Sequence, residues 1–216
     1  EAGLTEKDIP DTWEDLIKVC RKIRNSDSGL SAMACDGEYV NLLYGYQLAR
    51  YLGQERVWQL IHDCTWSQTA EAKQAADDIR RLFLAGYMSR TSPADHPEGQ
   101  DEVGNGEAVM VLQGSWTPNE VTEDTGYDDT WGFFPWPAVK NGTDGTEGIM
   151  IGAQGFGVMK DSQMKQEAFD FAYSVCTGET DMKMTDIVNS IPADTDNTQW
   201  PEMLADAASY MGKMSK

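Results

Sequence analysis

The sequence predicts an α/β fold in which helices alternate with short buried strands. Residues 12–24 and 69–88 carry apolar side chains at helical spacing, whereas residues 30–35 and 109–113 are short apolar runs beside glycine. Helical patterns also cover residues 39–52, 55–63 and 163–178, and the segment 179–216 is helical in patches. We therefore expect four or five strands in a short central sheet that is flanked by helices.

The first helix has the clearest start. Thr12 is the expected N-cap, and Asp15 three residues later is its capping-box partner. Trp13 and Cys20 fall on the apolar face of this helix, so we expect both in the core, and we expect Trp58 of the third helical segment there too. Residues 131–139 are predicted as a strand broken by prolines, residues 149–160 as a glycine-rich strand pair, and residues 89–100 as a loop.

Charge restricts the possible partners. The chain has 216 residues with 17 basic and 36 acidic side chains, a net charge of −19. This balance argues against nucleic acids and anionic membranes, which are bound by clustered lysine and arginine. No apolar stretch approaches the roughly 18 residues that cross a bilayer.

Several kinds of chemistry have no support in the sequence. The cysteines Cys20, Cys35, Cys64 and Cys176 form no CxxC pair, and we expect buried free thiols, although their pairing stays open. Of the two histidines, His96 is expected in a loop and neither belongs to a ligand-like cluster, so no metal site is predicted. The chain has no P-loop, GxGxxG or GxSxG motif, so we predict no cofactor and no catalytic site.

Aromatic residues stand at breaks between the predicted elements. Trp116 follows Gly-Ser at a strand-to-helix corner, Trp136 lies between two prolines, Phe156 between two glycines, and Tyr39 at a helix start after Glu38. An aromatic face beside carboxylates and amides suits a sugar ring, because the ring's C–H face stacks on the π-system while its hydroxyls need polar partners. The helix start at residues 115–118 is also expected to aim free N–H groups at a ligand oxygen. For Tyr39, Trp136 and Phe156, core packing is the equal alternative.

Four segments resemble extracellular solute-binding proteins, the sugar-capturing components of ABC importers that include maltose-binding protein. They are EAGLTEKDIPDTWEDLIKVCRKI (1–23), NGEAVMVLQGSW (105–116), WGFFPWPAV (131–139) and EGIMIGAQGFGVMKDSQMKQEAFDFAYSV (147–175). The motifs occur in the family's order and spacing, and they cover most of residues 1–180.

The resemblance implies a type II Venus-flytrap fold, in which ligand binds between two α/β lobes. Residues 1–216 are then expected to form a single lobe, the second, of a longer protein. Ser115 and Trp116 would face the cleft, as would Gln154, Gly155 and Phe156, while Glu38 and Tyr39 lie in a third cleft-facing segment. AQGFG (153–157) departs from the family's usual paired glycines, so the resemblance does not identify the saccharide. The family also implies an ABC permease as partner and a periplasmic or lipid-anchored extracellular location.

The resemblance favours a non-enzymatic module that binds a mono- or oligosaccharide for uptake. One alternative is a polyamine, peptide or metal-complex ligand, because carboxylates and aromatic faces together can hold a cation. The other is a glycan hydrolase, which requires two converging carboxylates. The spacing of the acidic residues in the sequence shows no such pair.

Overall fold

The computed structural model describes residues 2–146, 148–152 and 154–211, and the chain divides into two compact units. Residues up to 128 and residues 134–149 belong to the first unit. Residues 129–133 and the described residues from 150 onward belong to the second. The assignment of residues 1–216 to a single lobe stays a prediction.

Six α-helices of the first unit confirm most of the predicted helical segments. At the first of them, the Thr12 hydroxyl accepts a hydrogen bond from the Asp15 backbone N–H at 3.2 Å, as the capping prediction requires. A short helix inside the region predicted as loop and turn was missed. The helices are α1 (Trp13–Arg24), α2 (Val40–Leu52), α3 (Gln54–Asp63), α4 (Ala70–Leu84), α5 (Glu98–Gly104) and α6 (Thr117–Thr125).

Two parallel strands form the sheet. β1 (Ser31–Ala34) pairs with β2 (Ala108–Val111), with Met33 opposite Met110. On its other side Met33 forms a single parallel bridge to Met88, so a third extended segment runs along β1. The expected four or five strands are wrong for the described residues, because the remaining extended segments pair only at isolated bridges such as Thr12–Ala138.

The core of the first unit packs α1, α2 and α4 against the sheet. Trp13 is 5% exposed, and Cys20 on the same helix is fully buried, which confirms both predictions. Trp58 is 65% exposed, so its assignment to the core is wrong. All four cysteines are free, but only Cys20 and Cys35 are buried.

The second unit contains α7 (Lys165–Val175), α8 (Gly178–Val188) and α9 (Ala205–Met211). The strand pair predicted for residues 149–160 is wrong, because the described residues of this segment are in no strand. Its glycines weaken an extended segment by adding no side chain that could pack. Helix α7 has no buried residue, and its aromatic side chains Phe169, Phe171 and Tyr173 are exposed. No described helix in either unit has the length and hydropathy needed to cross a membrane.

Candidate functional site

The candidate site lies where the parallel segments of the first unit end. Asp36 follows β1, Gln113 follows β2, and the loop that carries His96 follows the extended segment at Met88. The carboxyl ends of parallel strands share one edge of a sheet, and loops from that edge usually form the ligand site of an α/β fold.

Asp36 ties these three chain segments together. Its side chain is fully buried and accepts hydrogen bonds from the Gly99 backbone N–H at 2.7 Å, from Gln113 Nε2 at 2.6 Å and from His96 Nδ1 at 3.1 Å. Bonds to an ionised acceptor are stronger than neutral ones, and together they offset the cost of burying a carboxylate. Position 99 must be glycine here, because a β-carbon would overlap the Asp36 carboxylate.

An aromatic surface lies over this anchor, and we define it by Trp116, Tyr39 and His96. The rings of Tyr39 and Trp116 have centroids 6.0 Å apart at an interplanar angle of 43°. The His96 ring meets Tyr39 edge-on, at 5.8 Å and 81°. Trp116 is 41% exposed, so part of its indole is open to solvent. The corner position of Trp116 therefore displays an aromatic ring that its neighbours hold in place.

Carboxylates border the aromatic surface. Glu120, in the first turn of α6, accepts a hydrogen bond from Gln100 Nε2 at 2.9 Å, and the same oxygen lies 3.8 Å from His96 Nε2. The hydrogen bond to Asp36 raises the pKa of His96, and the charges of Asp36, Glu120 and Glu38 raise it further, whereas burial opposes them. Burial, followed by the same three carboxylates, raises the pKa of Tyr39. The surroundings of His96 therefore stabilise its imidazolium form relative to that of a free histidine.

The start of α6 uses some of the backbone donors that the sequence led us to expect, whereas the described residues offer no hydrogen-bond partner to the N–H groups of Ser115 and Trp116. The Thr117 N–H bonds to the Gly114 carbonyl at 3.2 Å, and the Asn119 and Glu120 N–H groups bond to the Trp116 carbonyl at 3.1 Å. Pro118 has no N–H to offer. Because Thr117, Asn119 and Glu120 use their N–H groups within the turn, backbone donation to a ligand is left to Ser115 and Trp116, and other polar contacts must come from side chains.

The predicted site residues are divided between the two units. Glu38, Tyr39, Ser115 and Trp116 lie in the first unit, where Glu38 is exposed and Ser115 is half-buried beside Trp116. Gln154, Gly155 and Phe156 belong to the second unit, and all three are exposed. The site residues stay a prediction as a set.

Trp136 is a core residue in this structure. It is 5% exposed, lies 6.0 Å from Trp13 between ring centroids, and donates its Nε1–H to Gln47 Oε1 at 2.8 Å. Gln47 in turn donates to the buried Asp78 at 2.8 Å, which also accepts from the Tyr51 hydroxyl. Since this network holds the indole inside the first unit, we leave Trp136 out of the proposed site.

Sequence reasoning missed several polar members of the site, chiefly Asp36, His96, Gln113 and Glu120. The expectation that His96 lies in a loop is confirmed, since it stands in the turn before α5, but its contacts with Asp36 and Glu120 were not predicted. A usable pattern was present for two of them, since Asp36 and Gln113 each stand two residues after a strand. Among the described residues, no group of three or more histidine, cysteine or acidic side chains could hold a metal ion.

The sequence model of the bacterial extracellular solute-binding proteins matches residues 1–173. The chain belongs to this family. A search of curated proteins found no match.

Solved solute-binding structures share the fold at low sequence identity. A chitin oligosaccharide binding protein has a TM-score of 0.77 and 18% identity, with 94% of this chain and 53% of that chain covered. A sugar transporter from Bacillus licheniformis in complex with stachyose has a TM-score of 0.70 and 16% identity, with coverage of 99% and 56%. A Streptococcus pneumoniae solute-binding protein in complex with the blood group A-trisaccharide has a TM-score of 0.64 and 18% identity, with coverage of 99% and 55%. The chain thus spans about half the length of these solute-binding proteins and has their mixed α/β, type II fold.

Proposed function

We propose that this chain contributes to a carbohydrate-binding site that serves uptake through an ABC transporter. The main support is the partly exposed indole of Trp116, held against Tyr39 at the carboxyl edge of the sheet. Family membership supports the same proposal, as do the saccharides named for the similar solved structures. Because the chain spans about half of those proteins, we also propose that it is the second lobe of a longer, two-lobe protein.

The chemistry of the site suits a neutral saccharide. The C–H face of a pyranose ring would stack on the solvent-exposed part of Trp116, with the half-buried Tyr39 beside it. Sugar hydroxyls would donate to Glu120, whose side chain is 41% exposed and whose Oε1 has no hydrogen-bond partner among the described residues. Gln154, Gly155 and Phe156 are proposed as further ligand contacts, as the family resemblance implies. Lobe closure on the ligand would present the protein to the permease.

The burial of Asp36 removes one candidate for a catalytic carboxylate pair, and membership of a solute-binding family supports binding. A glycosidase needs two carboxyl groups facing one substrate. Asp36 is fully buried and accepts three hydrogen bonds, so it cannot serve as the second group beside Glu120. We therefore propose a binding protein without enzymatic activity, located outside the cytoplasmic membrane or in the periplasm, with a lipid anchor as one form of attachment.

One observation favours a cationic ligand as the second candidate. Glu38, Glu120 and Asp36 surround Tyr39 closely enough to raise its pKa, and the chain carries a net charge of −19. A polyamine could place an ammonium group over an aromatic ring and pair it with Glu38 and Glu120, whose side chains reach solvent.

A thermal-shift panel separates these candidates. The protein in its full natural length is heated with chitotriose, stachyose, the blood group A-trisaccharide, or spermidine. A ligand present at about 100 times its Kd stabilises the folded state by about 2.7 kcal/mol, which raises Tm by several degrees. We expect a rise with at least one saccharide and none with spermidine. A rise with spermidine alone would replace the saccharide proposal, and the appearance of reducing ends during incubation would indicate an enzyme.

A further inference from the structure

His96 lies beside three members of the candidate site in the first unit, namely Asp36, Glu120 and Tyr39. Its Nδ1 bonds to the buried Asp36 at 3.1 Å, its Nε2 lies 3.8 Å from Glu120, and its ring edge meets Tyr39 at 5.8 Å. The side chain is 26% exposed, so it lies at the margin of the site rather than in the core.

We propose that His96 is a positioning residue, which in its imidazolium form holds Glu120 and Tyr39 in the arrangement that binds ligand. The inference rests on the proposed function, since it concerns regulation of the same site. It makes ligand affinity dependent on pH through a residue that need not touch the ligand.

The mechanism follows from the two ring nitrogens. In the imidazolium both nitrogens carry a proton, so Nδ1–H can donate to Asp36 while Nε2–H faces the Glu120 carboxylate. When the ring loses one proton, the bond to Asp36 retains Nδ1–H, and Nε2 turns a lone pair toward Glu120. Attraction between Nε2 and Glu120 is then lost, and Gln100 remains as the hydrogen-bond donor to that carboxylate.

Charged groups on every neighbouring segment act in the same direction. Asp36 follows β1, Glu38 lies in the turn before α2, and Glu120 lies on α6, and all three favour the protonated ring. The charge of His96 also acts on Asp101 of α5. It lowers the pKa of that carboxyl group, but burial raises the pKa by more. No basic side chain is among the groups that influence the pKa of His96. The aromatic contact to Tyr39 continues to Trp116, so a change at His96 can reach the indole.

The first experiment requires no ligand. The protein is labelled with 5-fluorotryptophan, and the Trp116 resonance is assigned with Trp116→Phe. We expect this resonance to shift with pH at a midpoint above the ordinary histidine value of about 6.5. His96→Gln should remove the shift, because its amide can still donate to Asp36 but does not titrate. His62→Gln is the matched control, since His62 is 88% exposed on α3 and the variant should keep the shift.

The second experiment measures Kd for chitotriose and stachyose between about pH 6 and pH 9. We expect wild-type affinity to weaken about two- to fivefold as pH rises, the range measured for partly exposed charge pairs. His96→Gln should bind with a Kd that is independent of pH, whereas His96→Ala, which also loses the bond to Asp36, should bind more weakly at every pH.

The outcomes separate the two proposals. A titrating Trp116 resonance in a protein that binds no saccharide would overturn the carbohydrate function but leave the positioning role of His96 supported. A Trp116 resonance that does not respond to pH, or that still responds in His96→Gln, would overturn the positioning role even if saccharides bind.

Discussion

The indole of Trp116 lies over Gly114, in the space that a β-carbon at residue 114 would fill. The six-membered ring packs directly on the glycine backbone, and Tyr39 supports it from another side. Residues 114 and 116 of the Gly-Ser-Trp corner therefore depend on each other, because the absence of a side chain at residue 114 sets the direction of the ring at residue 116. Two substitutions test this relationship, one at Gly114 and one at Trp116.

Gly114→Ala is expected to displace the Trp116 indole and reduce ligand affinity, because its methyl group overlaps the ring. Gly45→Ala is the matched control. Nothing lies within 4 Å of a β-carbon built at this exposed position in α2, and alanine there should raise the free energy of unfolding by about 0.5–1 kcal/mol. Calorimetric binding titrations and urea unfolding of both variants measure these effects. Equal saccharide affinity in Gly114→Ala and wild type would contradict the expected role of the corner.

Trp116→Ala should weaken saccharide binding at least about tenfold, since it removes a stacking face of the kind that dominates binding free energies. The folded state should change little, because the side chain is 41% exposed. Trp58→Ala removes an indole that is 65% exposed on α3 and should leave affinity unchanged. Titration of intrinsic fluorescence with stachyose and chitotriose compares the two variants, and an unchanged Kd in Trp116→Ala would remove this indole from the site.

Trp136→Phe should affect stability rather than binding. The substitution leaves Gln47 Oε1 without its donor inside a buried network, at an expected cost of about 1–3 kcal/mol. Chemical denaturation should show this loss, while the folded variant should bind saccharide with the wild-type Kd. A large loss of affinity at unchanged stability would return Trp136 to the ligand site.

Asp36→Asn tests the anchor beneath the aromatic surface. One amide oxygen cannot replace two carboxylate oxygens that accept from Gly99, Gln113 and His96, so we expect a loss of about 1–3 kcal/mol in the free energy of unfolding. Affinity should fall as well, because His96 loses its charged partner. Asp77→Asn on α4 removes an exposed carboxylate that pairs with Lys73, and it should unfold like wild type.

Stability should also depend on pH through His96. Its pKa is raised in the folded protein, chiefly by the hydrogen bond to Asp36. The stabilising contribution is therefore complete below the unfolded value of about 6.5 and is lost as pH rises through the higher folded value. We expect wild type to exceed His96→Gln in the free energy of unfolding at pH 6 by less than about 1 kcal/mol, with the difference shrinking toward pH 9. A difference that grows with pH would contradict the direction of this pKa shift.

The sequence predicted the helices and the aromatic corner well because both depend on local patterns. Thr12 and Asp15 mark the start of α1 by their spacing, and Trp116 was identified from its position between a strand and Pro118. Local patterns were insufficient for Trp58 and Trp136. Trp58 lies within a helical segment and Trp136 lies between two prolines. The burial of each side chain, however, depends on which distant element packs against it.

Local patterns could place Asp36 and Gln113 just after strands, but they could not show which polar residues meet. Asp36 is joined to residues 96, 99 and 113, which are 60, 63 and 77 positions away. No spacing within a single helix or strand relates these residues. The glycine-rich segment at 149–160 shows the opposite limitation, since its composition suggested strands but a strand also needs a neighbour to pair with.

The anchoring of Asp36 has a consequence for how the protein acquires its binding surface. Contacts between residues so far apart in the chain form only after loop closure has overcome a large entropy, and such contacts slow folding. Helices α2, α3 and α4 all lie between Asp36 and His96 in the sequence, so the contact between these two residues closes a loop that contains all three helices. Ligand recognition should therefore appear late during refolding, after helical structure is regained.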